Sequence, residues 1–268
     1  MMTYSKPELK FYAQLDSTNT ELKKLVSQHK LAEHSVVITA EQTAGRGQTG
    51  NCWESEKNAN LTFSLLLRPT FLAPHLQFYI SKIVSLGLIN TIHHLTGKQA
   101  HIKWPNDIYI GDKKAAGILI ENSISGATLD YCVIGIGLNV NQEFFKSDAP
   151  NPVSLKNITG EKYNLEQVLE QVLENIEHYY HQLETNRLEL INTAYFNSLY
   201  RKDGFHTYKD AHGLFKARIE KINEQGLMTL IDTDDQAREY AFKEVSFVVP
   251  DAYCAVHISH VDMRGEVA

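Results

Sequence analysis

The sequence predicts an α+β fold, with a mixed or antiparallel sheet and helices in residues 1–203 and a small all-β unit after them. Three observations support this. Short apolar and β-branched runs bounded by turn residues alternate with long apolar stretches of helical period. Between 101 and 140 the apolar runs follow one another without an intervening helix, as in an antiparallel meander. Beyond 203 only short runs separated by turns remain.

Each element follows from its local pattern. Strands are predicted near 35–41, 61–67, 101–103, 107–111, 115–121 and 128–140, and helices over 18–29, 74–96 and 164–184, the last continuing after a break through 186–199. Thr18 and Glu21 are spaced as a capping box, and Gly97 stands where a helix C-cap belongs. The helices are expected on one face of the sheet.

The small unit is predicted over 204–250, with strands at 214–222, 227–231, 237–242 and 245–249. The remaining residues, 251–268, are expected to form a strand plus a disordered tail and receive no function. A chain of 268 residues is long enough for one sizeable domain and one small domain.

Composition excludes several classes of protein. The net charge of −6, with basic residues interspersed among acidic ones, lacks the basic footprint of a nucleic-acid binder. No apolar run approaches the ~20 residues that span a membrane, and residues 1–7 lack the apolar stretch of a secretory signal. Three separated cysteines predict neither a disulfide framework nor a zinc site. We therefore expect a cytoplasmic protein with no DNA or membrane partner.

No protein metal site is predicted. His178 and His181 have the spacing of metal ligands on a helix, but no carboxylate pair accompanies them, and a solvated helix face explains them better.

The most informative segment is Lys103 to Asp107, of sequence KWPND. Its proline holds the preceding residue extended, and its Asn-Asp pair supplies turn chemistry. Two apolar runs follow, joined by 111–114 as in a β-hairpin. A lysine fixed beside a stiff turn, with Lys113 and Lys114 on the adjoining hairpin, suits a site that holds phosphate. For the Lys113–Lys114 pair alone, an ordinary solvated hairpin is the favoured interpretation.

A second segment, 42–51, is rich in glycine. Gly45, Gly47 and Gly50 fit the GxGxxG pattern of dinucleotide-binding proteins, but that motif requires a helix directly after the glycines. Here the chain continues into the strand predicted at 61–67, and no Gly-Lys-Ser/Thr sequence completes a P-loop. The segment therefore predicts a glycine loop with Arg46 at its centre, suited to carboxylate or phosphate. A flexible surface loop is the alternative.

Together these segments resemble the biotin–protein ligases, which attach biotin to a lysine of biotin-dependent carboxylases. Three more motifs carry the resemblance, in order and spacing, through most of 12–141: Trp53, AGILIE at 116–121 and GIGLNV at 135–140. The resemblance implies a catalytic domain of the class II aminoacyl-tRNA synthetase/biotin ligase type. It also implies a C-terminal SH3-like β-barrel that helps complete the ATP and acceptor-protein sites.

The resemblance further implies a two-step reaction, in which biotin and ATP give biotinyl-5′-AMP and the biotinyl group then passes to a lysine. ATP, Mg²⁺ and biotin are the implied ligands, and a biotin carboxyl carrier domain is the implied partner. Lys103 and Arg46 are the implied catalytic residues. The implied biotin and adenylate site comprises Ser17, Thr18, Asn19, Gln42, Gly45, Arg46, Gly47, Gln48, Trp53, Lys103, Asn106, Gly117, Gly135, Gly137 and Asn139.

Within that set, the Ser-Thr-Asn trio that begins at Ser17 is implied to contact the ureido ring of biotin, with Gln42 as a further contact. Arg46, Gly47 and Gln48 match the loop that closes over biotin and the adenylate. Many relatives carry a second basic residue where this chain has Gln48. We expect this neutral amide to hold the adenylate less firmly than a cation, since hydrogen bonds to charged groups contribute about 1.5–3 kcal/mol against about 1 kcal/mol for neutral ones.

The sequence leaves alternatives to this assignment open. A lipoate–protein ligase shares the fold, but its Arg-Arg-x-Ser-Gly-Gly-Gly loop is missing here. A non-catalytic biotin-binding protein would not need Lys103 together with Arg46. Some relatives are repressors with an N-terminal DNA-binding domain; because the pocket motif begins at Ser17, we expect the short form without that domain. A homodimer and a role for Asp107 as a base are left open, although turn-building is the expected role of Asp107.

Overall fold

A computed structural model describes residues 7–28, 31–48, 52–146 and 151–248. Its first sheet comprises β1 (Leu9–Tyr12), β2 (Val36–Thr39), β3 (Leu61–Leu67), β4 (His101–Lys103), β5 (Asp107–Ile110), β6 (Lys113–Ser125) and β7 (Thr128–Leu138). The order across the sheet is β1-β2-β3-β7-β6-β5-β4. β1 and β2 are parallel and the other neighbouring strands antiparallel, so the predicted mixed sheet is confirmed.

The helices are α1 (Thr18–Gln28), α2 (Phe78–Thr96), α3 (Leu155–Thr159), α4 (Leu165–Glu184) and α5 (Leu188–Asn197). A short 3-10 helix, Pro74–Leu76, precedes α2. Gly97 adopts a left-handed conformation with φ of 65°, and its N–H donates to the carbonyl of His93. The predicted C-cap is therefore confirmed, because a residue without Cβ takes up this conformation without strain.

The helices lie on both faces of the sheet, so the expectation of one covered face was wrong. Side chains along β3 and β7 point alternately to the two faces of the sheet. Those on one face pack against α2, α4 and α5, and those on the other pack against α1. The set that packs on α1 includes Leu66 and Val133, which meet Leu22 and Leu25. Next to α1 on this face the strands carry several small or polar residues, among them Ser64, Gly135 and Gly137, which leave room for a cavity.

Some local predictions also need correction. Strand β1, helix α3 and the strand at His206–Asp210 were not predicted. The capping box is wrong because Thr18 already lies within α1; the Thr20 N–H instead donates to the Ser17 hydroxyl at 3.5 Å. The Glu21 carboxylate accepts from the Tyr12 hydroxyl at 3.3 Å and contacts Lys24.

The second sheet comprises β8 (His206–Asp210), β9 (Gly213–Ile222), β10 (Met228–Asp232), β11 (Ala237–Tyr240) and β12 (Ser246–Phe247), in the order β11-β10-β9-β8-β12 with antiparallel neighbours. The predicted small β-unit is thus present, and its closure into a barrel stays a prediction. The domain boundary at 203 also stays a prediction, because one cluster of buried apolar residues runs from the helices into this sheet.

Two further expectations meet the limits of the described residues. The last residue of the strand predicted at 245–249 lies outside the described residues, and so does the whole tail at 251–268. Among the helices that the structure describes, none is long and apolar enough to cross a membrane.

Candidate functional site

A cavity of about 430 Å³ lies on the α1 face of the first sheet. It is enclosed by the start of α1, the glycine loop, the turn after β4, and residues of the second sheet. The predicted site residues that line it are Ser17, Thr18, Asn19, Gln42, Arg46, Gly47, Gln48, Trp53, Lys103, Asn106, Gly117, Gly135 and Gly137. The sequence motifs therefore converge on one cavity, although they are spread over more than a hundred residues.

Two predicted residues do not line the cavity. Asn139 is buried behind it, where its backbone N–H donates to the carbonyl of Ala115 at 2.9 Å. Gly45 lies against the backbone of Trp53, whose N–H donates to the Gly45 carbonyl at 3.0 Å. A Cβ at Gly45 would lie 2.4 Å from the carbonyl oxygen of Trp53, so this position has room only for glycine.

One end of the cavity, here called the amide end, is formed by Thr18, Asn19, Gln42 and Ser64. The Gln42 side-chain oxygen accepts from the Thr18 backbone N–H at 2.9 Å. The Ser64 hydroxyl donates to the Asn19 side-chain oxygen at 2.6 Å and lies 2.8 Å from the Thr18 hydroxyl. Thr18, Asn19 and Ser64 are buried. The amides are thus held by neighbouring groups without any ligand.

Glycines form the floor beneath these groups. Gly135 lies opposite Ser64 and Leu119 on the neighbouring strands. A Cβ at this position would lie 2.4 Å from the Asn19 side-chain oxygen. Gly117 pairs with Gly137, and the ring of Trp53 covers both. A Cβ at Gly137 would lie 2.2 Å from that ring, so the glycines supply the space that the amide end and the indole occupy.

The other end, here called the cation end, is formed by Lys103, Lys114 and their neighbours. The Lys103 ammonium donates to the Tyr109 hydroxyl at 3.1 Å and lies 5.7 Å from the centre of the Phe247 ring. Burial lowers the pKa of Lys103, and Lys114 and Arg201 lower it further against an opposing effect of Asp107. Within the described ranges Lys103 forms no ion pair, so its charge is available to a bound anion.

Lys114 was not among the predicted site residues, yet it lines the cavity and pairs with Asp107 at 2.7 Å. The interpretation favoured for the lysine pair, a solvated hairpin, was therefore wrong for Lys114. The signal that pointed to it was the cation pair on the hairpin. Asn106 donates to the carbonyl of Ile118 at 2.9 Å, which ties the turn after β4 to β6. The Trp104–Pro105 bond within this turn is cis.

Arg46 lies at the mouth of the cavity. Its guanidinium donates to the Thr20 hydroxyl at 2.9 Å and is 3.8 Å from the Glu121 carboxylate. About half of the side chain is exposed. Residues 49–51, which include Gly50 of the predicted loop, lie outside the described residues.

The second sheet contributes residues that no sequence motif indicated. Phe242, Lys243, Val245, Ser246 and Phe247 line the cavity beside the cation end. A hydrogen bond of 2.9 Å from the Trp104 indole to the carbonyl of Gly226 joins the turn after β4 to this sheet. The cavity is therefore built from both sheets.

The described residues include no group of three or more His, Cys, Asp or Glu that could hold a metal ion. The cavity combines neutral amides and hydroxyls at one end with two lysines at the other. Such an arrangement suits a ligand with a polar, uncharged ring and an anionic group.

Comparison with known proteins shows which family the sequence resembles. A model of the biotin/lipoate A/B protein ligase family matches residues 11–139. The biotin–[acetyl-CoA-carboxylase] ligase of Paracoccus denitrificans is 30% identical, over 81% of this chain and 92% of that protein. The bifunctional ligase/repressor of Bacillus subtilis is 29% identical over 77% of this chain, but the chain spans only 66% of that relative's length.

Solved structures agree in fold. A biotin protein ligase from Aquifex aeolicus, in complex with biotin and ATP, has a TM-score of 0.75 at 24% identity, covering 89% of this chain and 97% of the other. A biotin protein ligase from Leishmania major, in complex with biotinyl-5-AMP, has a TM-score of 0.62 at 21% identity, covering 88% and 100%. At these identities the likeness establishes the shared fold.

Proposed function

The chain belongs to the biotin–protein ligases, and from that premise we propose that it activates biotin as biotinyl-5′-AMP and transfers the biotinyl group to a lysine of a biotin carboxyl carrier domain. The supporting observation is the pairing, within one cavity, of the buried amide end with the cation end. A ureido ring has N–H donors and a carbonyl acceptor. Asn19 offers an oxygen, while Gln42 already uses its oxygen for Thr18 and can offer its N–H.

In the first step, an oxygen of the biotin carboxylate attacks the α-phosphorus of ATP. The bond to the β-phosphate oxygen breaks, and pyrophosphate leaves. Two anions must approach each other, and cations held in a partly dry site offset their repulsion. Lys103 is suited to this role because no carboxylate in the described part of the chain forms an ion pair with it, whereas Lys114 shares its charge with Asp107.

Mg²⁺ enters the proposal as an ion carried by the triphosphate, which is its usual mode of binding at nucleotide sites. The described residues offer no carboxylate cage for it, so we assign no step to a metal bound by the protein alone.

In the second step, the acceptor amine attacks the acyl carbon of the adenylate and AMP leaves. Only a neutral amine is nucleophilic, and with a lysine pKa near 10.4 fewer than about one in a thousand amines are neutral at pH 7. Lys103 and Arg46 would lower the acceptor pKa by repulsion of like charges. Asp107 is engaged by Lys114 at 2.7 Å, which favours its structural role over that of a base.

The test is biotin-dependent exchange of labelled pyrophosphate into ATP, with lipoate as the competing acid. Exchange with biotin alone is expected, followed by labelling of a recombinant biotin carboxyl carrier domain. A carrier domain whose target lysine is replaced by alanine is the matched control. Exchange with lipoate alone would contradict the assignment of the amide end, and binding of biotin without ATP binding would favour a non-catalytic protein.

A further inference from the structure

Glu121 lies near the middle of β6, and its carboxylate contacts Asn19 of the amide end. Glu121 itself does not line the cavity. Its carboxylate accepts from the Asn19 side-chain N–H at 2.8 Å and from the Lys23 ammonium at 2.5 Å. It also lies 3.8 Å from the Arg46 guanidinium. Glu121 therefore lies directly behind a residue that faces the ligand space.

These contacts determine which way the Asn19 amide points. Its nitrogen faces two acceptors, the Glu121 carboxylate and the carbonyl of Leu119 at 3.3 Å. Its oxygen faces the hydroxyl of Ser64 at 2.6 Å. A half-turn of the amide would set an oxygen against both acceptors, and neither could supply a proton. The observed orientation is therefore strongly favoured.

Glu121 enforces this orientation only while it is ionised, since a carboxylate accepts but does not donate. Burial by itself raises the pKa of Glu121, but hydrogen bonds from Lys23 and Asn19 and the charges of Lys23 and Arg46 outweigh that effect. The net result is a lowered pKa, so the group is ionised at neutral pH.

The orientation has a consequence for the ligand. Both N–H groups of Asn19 are directed at Glu121 and Leu119, so the group left for a ligand is the second lone pair of the amide oxygen. The lack of a side chain at Gly135 makes room for this oxygen, because a Cβ there would lie 2.4 Å from it. At this point the cavity selects a ligand that donates an N–H and disfavours one that presents an oxygen.

We propose that Glu121 is a positioning residue that determines ligand specificity, because it holds the Asn19 amide with its oxygen towards the N–H groups of a cyclic urea. This inference rests on the proposed function, since the ureido ring of biotin is the ligand group concerned. Glu121 acts through Asn19 and does not touch the reacting atoms, so its replacement should change binding of the acid and spare the chemical step.

The first experiment measures the biotin dissociation constant by calorimetry, and KM and kcat by pyrophosphate exchange, for Glu121→Gln. The isosteric amide can present either a donor or an acceptor to Asn19, so the orientation is no longer enforced. We expect biotin to bind about tenfold more weakly, with kcat at saturating biotin within about twofold of the wild type. Lys24→Ala is the matched control, because the ammonium of this exposed lysine on the same helix contacts Glu21 and not Glu121, so biotin binding should be unchanged.

A donor–acceptor exchange supplies the second experiment. Asn19→Asp should bind biotin poorly, because two carboxylates then face each other. Adding Glu121→Gln to it gives the carboxylate introduced at position 19 a donor and again leaves an oxygen for the ligand. The double variant should therefore bind biotin at least about fivefold more tightly than Asn19→Asp alone. Recovery of this kind is not expected if Glu121 merely stabilises the fold.

The outcomes separate the inference from the proposed function. If the wild-type protein binds biotin but does not exchange pyrophosphate, the proposed function is contradicted, while the binding measurements still test the role of Glu121. Unchanged binding in Glu121→Gln, equal weakening in Lys24→Ala, or no recovery in the double variant overturns the inference. A crystal structure of the wild type with biotin provides a check that needs no variant: a ureido oxygen, in place of a ureido nitrogen, against Asn19 would also overturn it.

Discussion

The two ends of the cavity are built in different ways. At the amide end, Thr18, Asn19 and Ser64 are buried and satisfy one another through hydrogen bonds from neighbouring elements. At the cation end, Lys103 lies among aromatic rings and donates a hydrogen bond to Tyr109, and residues of the second sheet complete the wall. The amide end is held in place by its own hydrogen bonds, whereas the cation end carries a positive charge that a bound anion can neutralise.

This difference suggests a division of labour. A preorganised, neutral end contributes mainly to selection of the acid, because its geometry is the same in the ground state and the transition state. An uncompensated cation contributes mainly where negative charge develops. Substitutions at the amide end should therefore change binding constants, and substitutions at the cation end should change rates.

The largest effect is expected for Lys103→Ala. Loss of the uncompensated cation should lower the rate of adenylate formation by about a hundredfold or more, while biotin binding and the melting temperature stay close to wild type. Pyrophosphate exchange and calorimetry measure the two quantities. Lys113→Ala, on the exposed end of the same hairpin, is the control. Near-normal exchange would remove Lys103 from the proposed mechanism.

The pH dependence of adenylate formation also tests the role of Lys103. Because burial lowers the pKa of Lys103, its charge is present at low pH and is lost as pH rises through a value below 10.5. We expect kcat/KM for ATP, which reports groups of the free enzyme, to fall on that alkaline limb by about tenfold per pH unit. In Lys103→Arg the limb should move to higher pH, since a guanidinium keeps its charge. An unmoved limb would mean that another group titrates.

Arg46→Ala should have an intermediate effect, because Arg46 lies at the mouth of the cavity and already bonds Thr20. We expect release of biotin and of the adenylate to be about tenfold faster, as follows from the loss of one charged hydrogen bond. Stopped-flow release measures this, with Arg46→Lys as the variant that keeps the charge. Unchanged release rates would return Arg46 to the role of a surface-loop residue.

The smallest effect is expected for Gln48→Arg, which supplies the second cation that the family resemblance implies at this position. Release of the adenylate should be about threefold slower than in the unaltered protein, because a charged hydrogen bond replaces a neutral one. Gln48→Glu should act in the opposite direction. If all three proteins released the adenylate at one rate, position 48 would have no part in retention.

The sequence predicted best those features that depend on neighbouring residues. The KWPND turn, the hairpin after it and the glycine loop between β2 and β3 follow from local backbone preferences, and all were anticipated. The convergence of their residues on one cavity followed from the resemblance, since no local pattern reports on distance in space.

Features that depend on long-range contacts could not be predicted. Side chains of β3 and β7 point alternately to the two faces of the sheet, and both faces carry apolar residues at many positions. The sequence therefore does not show which face α1 covers. The bond between Asn19 and Glu121 spans 102 residues, and a glutamate on a strand gives no sign of it. The contribution of Phe247 beside Lys103 likewise depends on how the second sheet packs.

The hydrogen bond from Trp104 to Gly226 joins the residue next to Lys103 to a loop of the second sheet, 122 positions further along the chain. Gly226 has φ of 90° and lies so close to Phe78 that a Cβ would approach the ring to 2.6 Å, so the two parts fit in one arrangement. Under the proposed function, in which ATP binds beside Lys103, occupancy of the cavity and docking of the second sheet are thermodynamically linked. If ATP binds more tightly to the docked arrangement, it stabilises that arrangement against local opening of the C-terminal sheet. Amide hydrogen exchange in β9 and β10 should then slow as nucleotide is added.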